Sequence, residues 1–489
     1  MEPPPANGNL PEAVISRTAD DPAPWREFDG RAAAWRAAVR RGIVRRGGTW
    51  RLALPLLPGL VALCLGVWGL ERGPAMWRDE SVTHQVAHRT AGELWALLGN
   101  VDAVHGLHYF LMHAVFGVWD GGLWALRLPS VLATAAAAYG VAAVAGTRAG
   151  PRAAAAAGTA YAVLPPVQQY AQEGRSYALV AAAVVWATYA LLRGRWVAYA
   201  GLLLLACWLH QFALLAMAAH AVVAWRRRAW RWCALAVAAG VLPLAVVAAG
   251  QAGAQLGWLG RPGRQDWLAY AVAAGAGLLL ARGAERERAR VALPLLLLPP
   301  GVLLAVSLVH PWYVDRYVLY ALAGLALLVS RWRVVLLVAV LGLPWSLWLR
   351  TPESRKDDVV AVAAAVRELS RPGDGVLFLP ARRREWLLSS PEVYGGLRDL
   401  ALARSPAASG TLQGTELPST DLRAALLDSP RVIALSDPPD QPRDRLPREA
   451  VKRQTLITHF DLCTHRRTHG AAITLYARPG ECPRPPRGR

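Results

Sequence analysis

The chain is short of charge. Only 18% of its 489 residues are Asp, Glu, Lys or Arg, while 54% are hydrophobic. A soluble globular chain carries nearer a quarter charged. It has no Walker loop, no Gly-x-Ser-x-Gly elbow and no HExxH pair. Those absences argue against phosphate chemistry on a P-loop, a hydrolase-type serine nucleophile and a zincin metal centre. Cysteine is scarce too. Cys64, Cys207 and Cys233 fall in or beside hydrophobic runs, Cys463 and Cys482 near the C-terminus, and no spacing matches a zinc site. The net charge of +20 comes without a basic stripe interleaved with aromatics, so no nucleic-acid partner is expected.

Long apolar runs are abundant. Residues 50–70, 126–146, 153–170, 177–192, 196–210, 211–225, 232–250, 267–282, 291–309, 317–330 and 333–349 read as about eleven candidate spans. The class is therefore mainly α, a polytopic helical bundle in a lipid bilayer. The first run follows a basic flank but is too long for a cleaved signal, and reads as a signal anchor. Arg36, Arg40, Arg41, Arg45, Arg46 and Arg51 crowd its start, which places the N-terminus in the cytoplasm. Counting onward, every cytoplasmic connection carries Arg: Arg148/Arg152, Arg193/Arg195, Arg226–Arg228 with Arg231, residues 282–290, and Arg331/Arg333. The opposite connections carry acids, His, Tyr and amides instead.

Four regions follow. Residues 1–35, rich in Pro, Ala and Asp, read as a disordered cytoplasmic tail. Residues 36–350 form the membrane module, with a first outer loop over 71–125. In that loop residues 93–98 suit a short interfacial helix, and 104–119 a second surface helix. Were 104–119 a span, every later Arg cluster would face outward. Residues 351–479 show an αβ rhythm: a helix over 357–369, the turn Pro372-Gly373-Asp374-Gly375, and strands at 376–379, 431–435 and 472–476. This reads as a small extracytoplasmic α/β domain, whose Cys463 and Cys482 would meet oxidising conditions and are candidates for a disulfide. Residues 480–489 read as a disordered tail.

The chemistry-bearing residues cluster on the outer side. Trp77-Arg78-Asp79-Glu80 follows the first run directly. Neighbouring side chains on a helix point about 100° apart, so an Asp-Glu pair suits a loop at the membrane surface better. There it can act as a general base, bind a divalent cation, or simply be solvated. Asp102, His105 and His108 recur every third residue, with Tyr109 beside them. On one helix they would converge, as metal ligands or as interfacial polar groups. Glu173 and Arg175, ahead of Tyr177, suit either a phosphate contact or a mutual ion pair. Arg316 and Tyr317 suit phosphate or sugar, while Trp312 and Tyr313 read equally as an aromatic belt. His210, alone between two runs, reads as structural.

The order of these motifs resembles the protein-mannosyltransferase type of GT-C-fold glycosyltransferases over residues 50–350. The matching pieces are Trp77-Arg78-Asp79-Glu80, then Asp102-x-x-His105 with Tyr109, and Leu126-Arg127-Leu128-Pro129-Ser130. Glu173-Gly174-Arg175-Ser176-Tyr177-Ala178-Leu179 and Asp315-Arg316-Tyr317 complete the set. The chain departs from that family at His105-Gly106-Leu107-His108-Tyr109, where two prolines usually follow the His. The resemblance implies a catalytic acidic pair, with Asp79 as base and Glu80 supporting donor or metal. It also implies a polyprenyl-phosphate sugar donor, mannose by analogy, and an extracytoplasmic protein, lipid or glycan acceptor. Asp102, His105, His108, Tyr109, Glu173, Arg175, Tyr177, Arg316 and Tyr317 would then contact substrate. A divalent cation stays open as a cofactor. A transporter or flippase, or a non-catalytic cell-envelope assembly protein, are the rival readings.

Overall fold

A computed structural model describes residues 54–71, 75–256, 259–439, 441, 444 and 446–483. The basic flank at 36–51, the tail expected over 1–35, and residues 484–489 lie outside the described residues.

Helices occupy each apolar run that falls within the described residues, but several are shorter than expected. In chain order they are α1 (Leu57–Val67), α2 (Arg78–Ala87), α3 (Ala91–Asn100), α4 (Gly106–Val118), α5 (Gly122–Ala145), α6 (Pro151–Val163), α7 (Pro165–Ala171) and α8 (Tyr177–Leu192). There follow α9 (Trp196–Leu209), α10 (Leu215–Ala224), α11 (Arg228–Leu256), α12 (Arg264–Ala281), α13 (Arg286–Val306), α14 (Leu322–Leu328) and α15 (Trp332–Trp348). Among the described residues three helices are long and apolar enough to cross a membrane: Gly122–Ala145, Arg228–Gly253 and Arg286–Val306. The run at 153–170 is broken at Leu164, whose extended backbone is what a following proline imposes. The run at 317–330 opens as a 3-10 segment, Asp315–Ala321, before α14.

Small side chains let these helices approach closely. Ala137, Ala138, Ala156 and Ala157 are fully buried where α5, α6 and α8 meet. At Gly158 a Cβ would lie 2.5 Å from the Ala138 carbonyl oxygen and 2.7 Å from Pro58, so glycine sets that distance. The outside of the bundle is apolar in turn. Leu235, Leu242 and Val246 on α11, Val272 and Leu279 on α12, and Leu336 and Leu341 on α15 are all exposed. Aliphatic surface that wide is stable against acyl chains and not against water.

The two kinds of connection separate in space. Arg148 lies 3.8 Å from Glu287, and Arg288 donates to Ser330, so three Arg-rich connections share one end of the bundle. His210, Tyr317, Arg316 and Tyr177 gather at the other, with α2.

Beyond α15 lies an α/β unit. Helix α16 (Val359–Leu369) packs on a sheet of order β2-β1-β5-β7-β6, built from β1 (Gly375–Leu379), β2 (Arg398–Asp399), β5 (Arg431–Ser436), β6 (Asp461–Thr468) and β7 (Ala471–Ala477). Strands β3 (Leu402–Arg404) and β4 (Thr415–Glu416) pair separately. β1 runs parallel to β2 and β5, whereas β7 is antiparallel to both its neighbours. Alternation places Val376, Phe378, Ile433 and Leu435 under α16, while Leu377, Val432 and Ala434 face a second core with Leu422 and Leu456. The edge strand β6 bulges between Leu462 and Thr464, at Cys463, which is disulfide-bonded to Cys482. The bond ties the end of the chain to the sheet.

Candidate active site

Asp79 and Glu80 sit in the first turn of α2, not in a loop. A helix N-terminus favours negative charge, and it resolves the geometric objection to an adjacent pair by sending the two carboxylates different ways. Glu80 turns into the bundle and is fully buried, while Asp79 stays 28% exposed.

Glu80 meets Arg127 of α5 fork to fork. Arg127 Nε and Nη2 donate to the two Glu80 oxygens at 2.8 Å each, and the Gly174 N–H donates to Oε1 at 3.0 Å. The same guanidinium donates to the carbonyls of Leu70 and Ala75, so one side chain ties the end of α1 to the start of α2. Gly174 must lack a Cβ, because one would stand 2.4 Å from Leu126 Cγ. Burial alone would raise the Glu80 pKa. The fields of Arg127 and Arg355 and the bonds to it overcome that, holding it at about 2.

Arg355 comes from the segment entering the α/β unit. It donates to Glu173 Oε1 at 3.1 Å and to the Gln172 carbonyl, and lies 3.8 Å from Glu80. The Glu173–Arg175 ion pair offered by spacing is therefore not formed, nor does Glu173 orient Arg175. Arg175 instead donates to Thr83 Oγ1 at 3.1 Å and to the Asp79 carbonyl at 3.4 Å. Arg316 reaches Asp79 Oδ2 at 3.4 Å and donates to the Tyr177 hydroxyl at 3.1 Å. Its guanidinium carbon lies 5.7, 5.6 and 5.7 Å from the ring centroids of Trp77, Tyr177 and Tyr317. Two buried guanidiniums thus meet Asp79, Arg316 at its accessible carboxylate and Arg175 at its backbone carbonyl.

Around them stand His210, 4.4 Å from the Tyr317 ring and 5.7 Å from His105, and then Tyr109, 6.1 Å from His105. Among the described residues, His105 Nδ1, His210 Nδ1 and Arg175 Nε are buried without a hydrogen-bond partner. Buried polar atoms are nearly always satisfied, so a group of orphans marks a place for a polar ligand or water.

Asp102 is not helical. It adopts a left-handed backbone (φ 59°) and precedes a 3-10 turn, Ala103–His105. Tyr109 donates to its Oδ2 at 2.7 Å, Gln255 to its Oδ1 at 3.1 Å, and the next N–H is held by Gln251 at 3.0 Å. Burial raises the Asp102 pKa against the pull of Arg175 and the Tyr109 hydrogen bond. The turn also parts the two histidines. His105 faces His210, whereas His108 Nε2 lies 3.2 Å from the Gly174 carbonyl oxygen. Asp102, His105 and His108 consequently do not converge on one ion.

The α/β unit closes the outer side of α2. Arg78 pairs with Glu385 at 3.0 Å, its N–H donates to Asp357 Oδ1 at 2.8 Å, and Ser81 Oγ donates to the Glu385 carbonyl at 2.9 Å. Burial pushes the Asp357 carboxyl up to about 6, against the Arg78 N–H. Sequence reasoning gave no site role to Arg127, Arg355 or Trp77, and took His210 as structural. Arg127 stood inside a quoted motif and was the one that an unpaired Arg in an apolar run pointed to.

No family model matches the chain, and none of the curated proteins compared is similar to it in sequence. Among solved structures it is similar to ArnT from Cupriavidus metallidurans in the apo state, with TM-score 0.47 and 13% identity over 86% of this chain and 97% of that one. It is similar also to ArnT from Cupriavidus metallidurans bound to undecaprenyl phosphate, with TM-score 0.46 and 13% identity over 88% of this chain and 98% of that one.

Proposed function

We propose that this chain is a membrane glycosyltransferase of the GT-C kind, moving a sugar from a polyprenyl-phosphate donor to an acceptor hydroxyl. The observation that carries the reading is the accessible carboxylate of Asp79 beside the buried guanidinium of Arg316, with the buried guanidinium of Arg175 on the Asp79 backbone carbonyl. The donor phosphate binds at the two arginines, with its lipid tail along the bundle. The acceptor hydroxyl gives its proton to Asp79 as its oxygen bonds the anomeric carbon, and the bond from that carbon to the phosphate oxygen breaks. The charge left on the lipid phosphate is stabilised by Arg175 and Arg316. A single displacement of this kind inverts the anomeric centre. Glu80 acts by position, since Arg127 and Gly174 occupy its oxygens. Mannose is the sugar that the family resemblance implies.

Purified protein offered a panel of polyprenyl-phosphate sugars is expected to transfer from one of them. Arg316→Ala and Arg175→Ala should each weaken donor-lipid binding by about 10–100-fold, the loss of one charge-assisted hydrogen bond of roughly 1.5–3 kcal/mol. Undiminished lipid binding in both variants, with no transfer from any donor, would favour the transporter or assembly reading.

Sidedness is proposed from the separation of the connections and from the disulfide: α2 and the α/β unit lie outside the cytoplasm. Reporter fusions at Gly92 and Gly373 should both report the outer compartment. Fusions reporting opposite compartments would contradict the contacts between α2 and the α/β unit.

A further inference from the structure

The far end of α2 carries a second group of ligating side chains, on the opposite end of the helix from Asp79. His84 and His88 are four residues apart and so share one helix face. Asp120 reaches them from the turn between α4 and α5. One ligand atom from each of the three lies within 4.8 Å of the others. Three details go beyond proximity. His88 Nδ1 lies 2.7 Å from the His84 carbonyl oxygen, which holds the proton on Nδ1 and leaves the Nε2 lone pair pointing outward. A ring nitrogen fixed in that way is the usual second-layer support of a metal-bound His. His88 Nε2 and Asp120 Oδ2 are 3.4 Å apart, long for a hydrogen bond. It is close to the spacing of roughly 3.4 Å between two ligands on one tetrahedral ion with bonds of about 2.1 Å. Finally, His84 Nδ1 is buried and has no hydrogen-bond partner among the described residues.

We propose that His84, His88 and Asp120 form a site for one divalent transition-metal ion, with Zn²⁺ the best match. Two imidazoles and one carboxylate suit zinc and its neighbours, and disfavour Mg²⁺ and Ca²⁺, which take oxygen. Three protein ligands leave a fourth position for water. His88 and Asp120 are exposed, so the ion exchanges with solvent. Bound there, the ion clasps the C-terminal end of α2 to the turn ahead of α5. The N-terminal end of α2 is already fixed to α5 through Glu80 and Arg127, so the ion would secure the helix at both ends. The site stands whether or not the chain transfers sugar.

Tag-free, full-length protein in detergent, stripped with chelator and titrated with Co²⁺ and Zn²⁺, tests this. One equivalent of Co²⁺ should bind with the visible absorption of a low-coordinate N/O site and be displaced by Zn²⁺, and Zn²⁺ should raise the melting temperature. His88→Gln and Asp120→Asn alter exposed side chains and should fold. Each should weaken binding at least 10-fold and abolish the Zn²⁺-dependent melting shift. Wild-type protein that binds no equivalent, or variants that bind as wild type does, would overturn the proposal and leave a His–Asp hydrogen bond. A response to Mg²⁺ equal to that of Zn²⁺ would also overturn it.

Discussion

Asp79→Asn is expected to lose transfer by about 10²–10⁴-fold, the usual worth of a positioned general base, while binding the donor lipid nearly as well as the parent. Asparagine keeps the shape and can still sit beside Arg316, but it cannot accept the acceptor's proton. The phosphate contacts proposed at Arg175 and Arg316 are left in place. The variant should fold normally as well. Asp79 is part-exposed, and its one ion pair among the described residues is long, at 3.4 Å, so little stability rests on it. The measurement is turnover alongside donor affinity on the same preparation. If transfer proceeds at near the parent rate, Asp79 is not the base, and the mechanism drawn around it fails.

The neighbouring substitution should behave in the opposite way. Glu80→Gln removes the charge opposing Arg127 in a place with no access to water, and removing one partner of such a pair costs about 3–5 kcal/mol. The protein should melt well below the parent, or fail to accumulate, before any question of turnover arises. Replacing both members, as Glu80→Gln with Arg127→Met, should recover part of the loss, because the uncompensated guanidinium is gone. A thermal melt of the single and double variants decides it. Equal stability of Glu80→Gln and parent would show that Arg127 finds its counter-charge elsewhere. The pH dependence has a definite sign. A carboxylate held at about 2, below its unfolded value near 4.3, contributes stability fully above that unfolded value. The contribution disappears as pH falls from about 4 towards 2, so acid should uncouple α2 from α5 in the parent and not in the double variant.

These two residues also show how far the primary structure can be read. Adjacency made them look alike, and the 100° turn between neighbours on a helix is what makes them unlike. The expectation of a loop used the right geometry and drew the wrong setting from it, because it assumed that both carboxylates had to face the same way. The helices of the bundle were readable for a plain reason: long apolar runs have few other homes. Their ends were less so, since α7 and α14 are set by Pro165 and by the 3-10 segment before Leu322, which hydrophobicity alone does not register. The strands at 376–379, 431–435 and 472–476 were visible as short apolar runs. β6, carrying Asp461, His465, Arg466 and Arg467 along an open edge, was not. In the site, Arg175 and Arg316 stood out as cations where apolar residues were expected. Arg355 had no such mark: its partners are Glu80 and Glu173, and a pairing across 182 residues leaves no trace in local spacing. The i, i+4 step from His84 to His88 was there to be seen, but Asp120 joins them only through the fold.

That long separation bears on the birth of the protein. At roughly 5–20 residues per second of synthesis, Arg355 emerges about 10–40 seconds after Glu173. For that interval the segments that hold Glu80 and Glu173 are made without the Arg355 guanidinium that the finished molecule places beside them. Glu80 already has Arg127 by then, and the bond from Arg355 to Glu173 is made last. A ribosome that stops at Arg350 therefore leaves the bundle without the side chain that bonds Glu173 and the Gln172 carbonyl from the C-terminal unit and comes within 3.8 Å of Glu80.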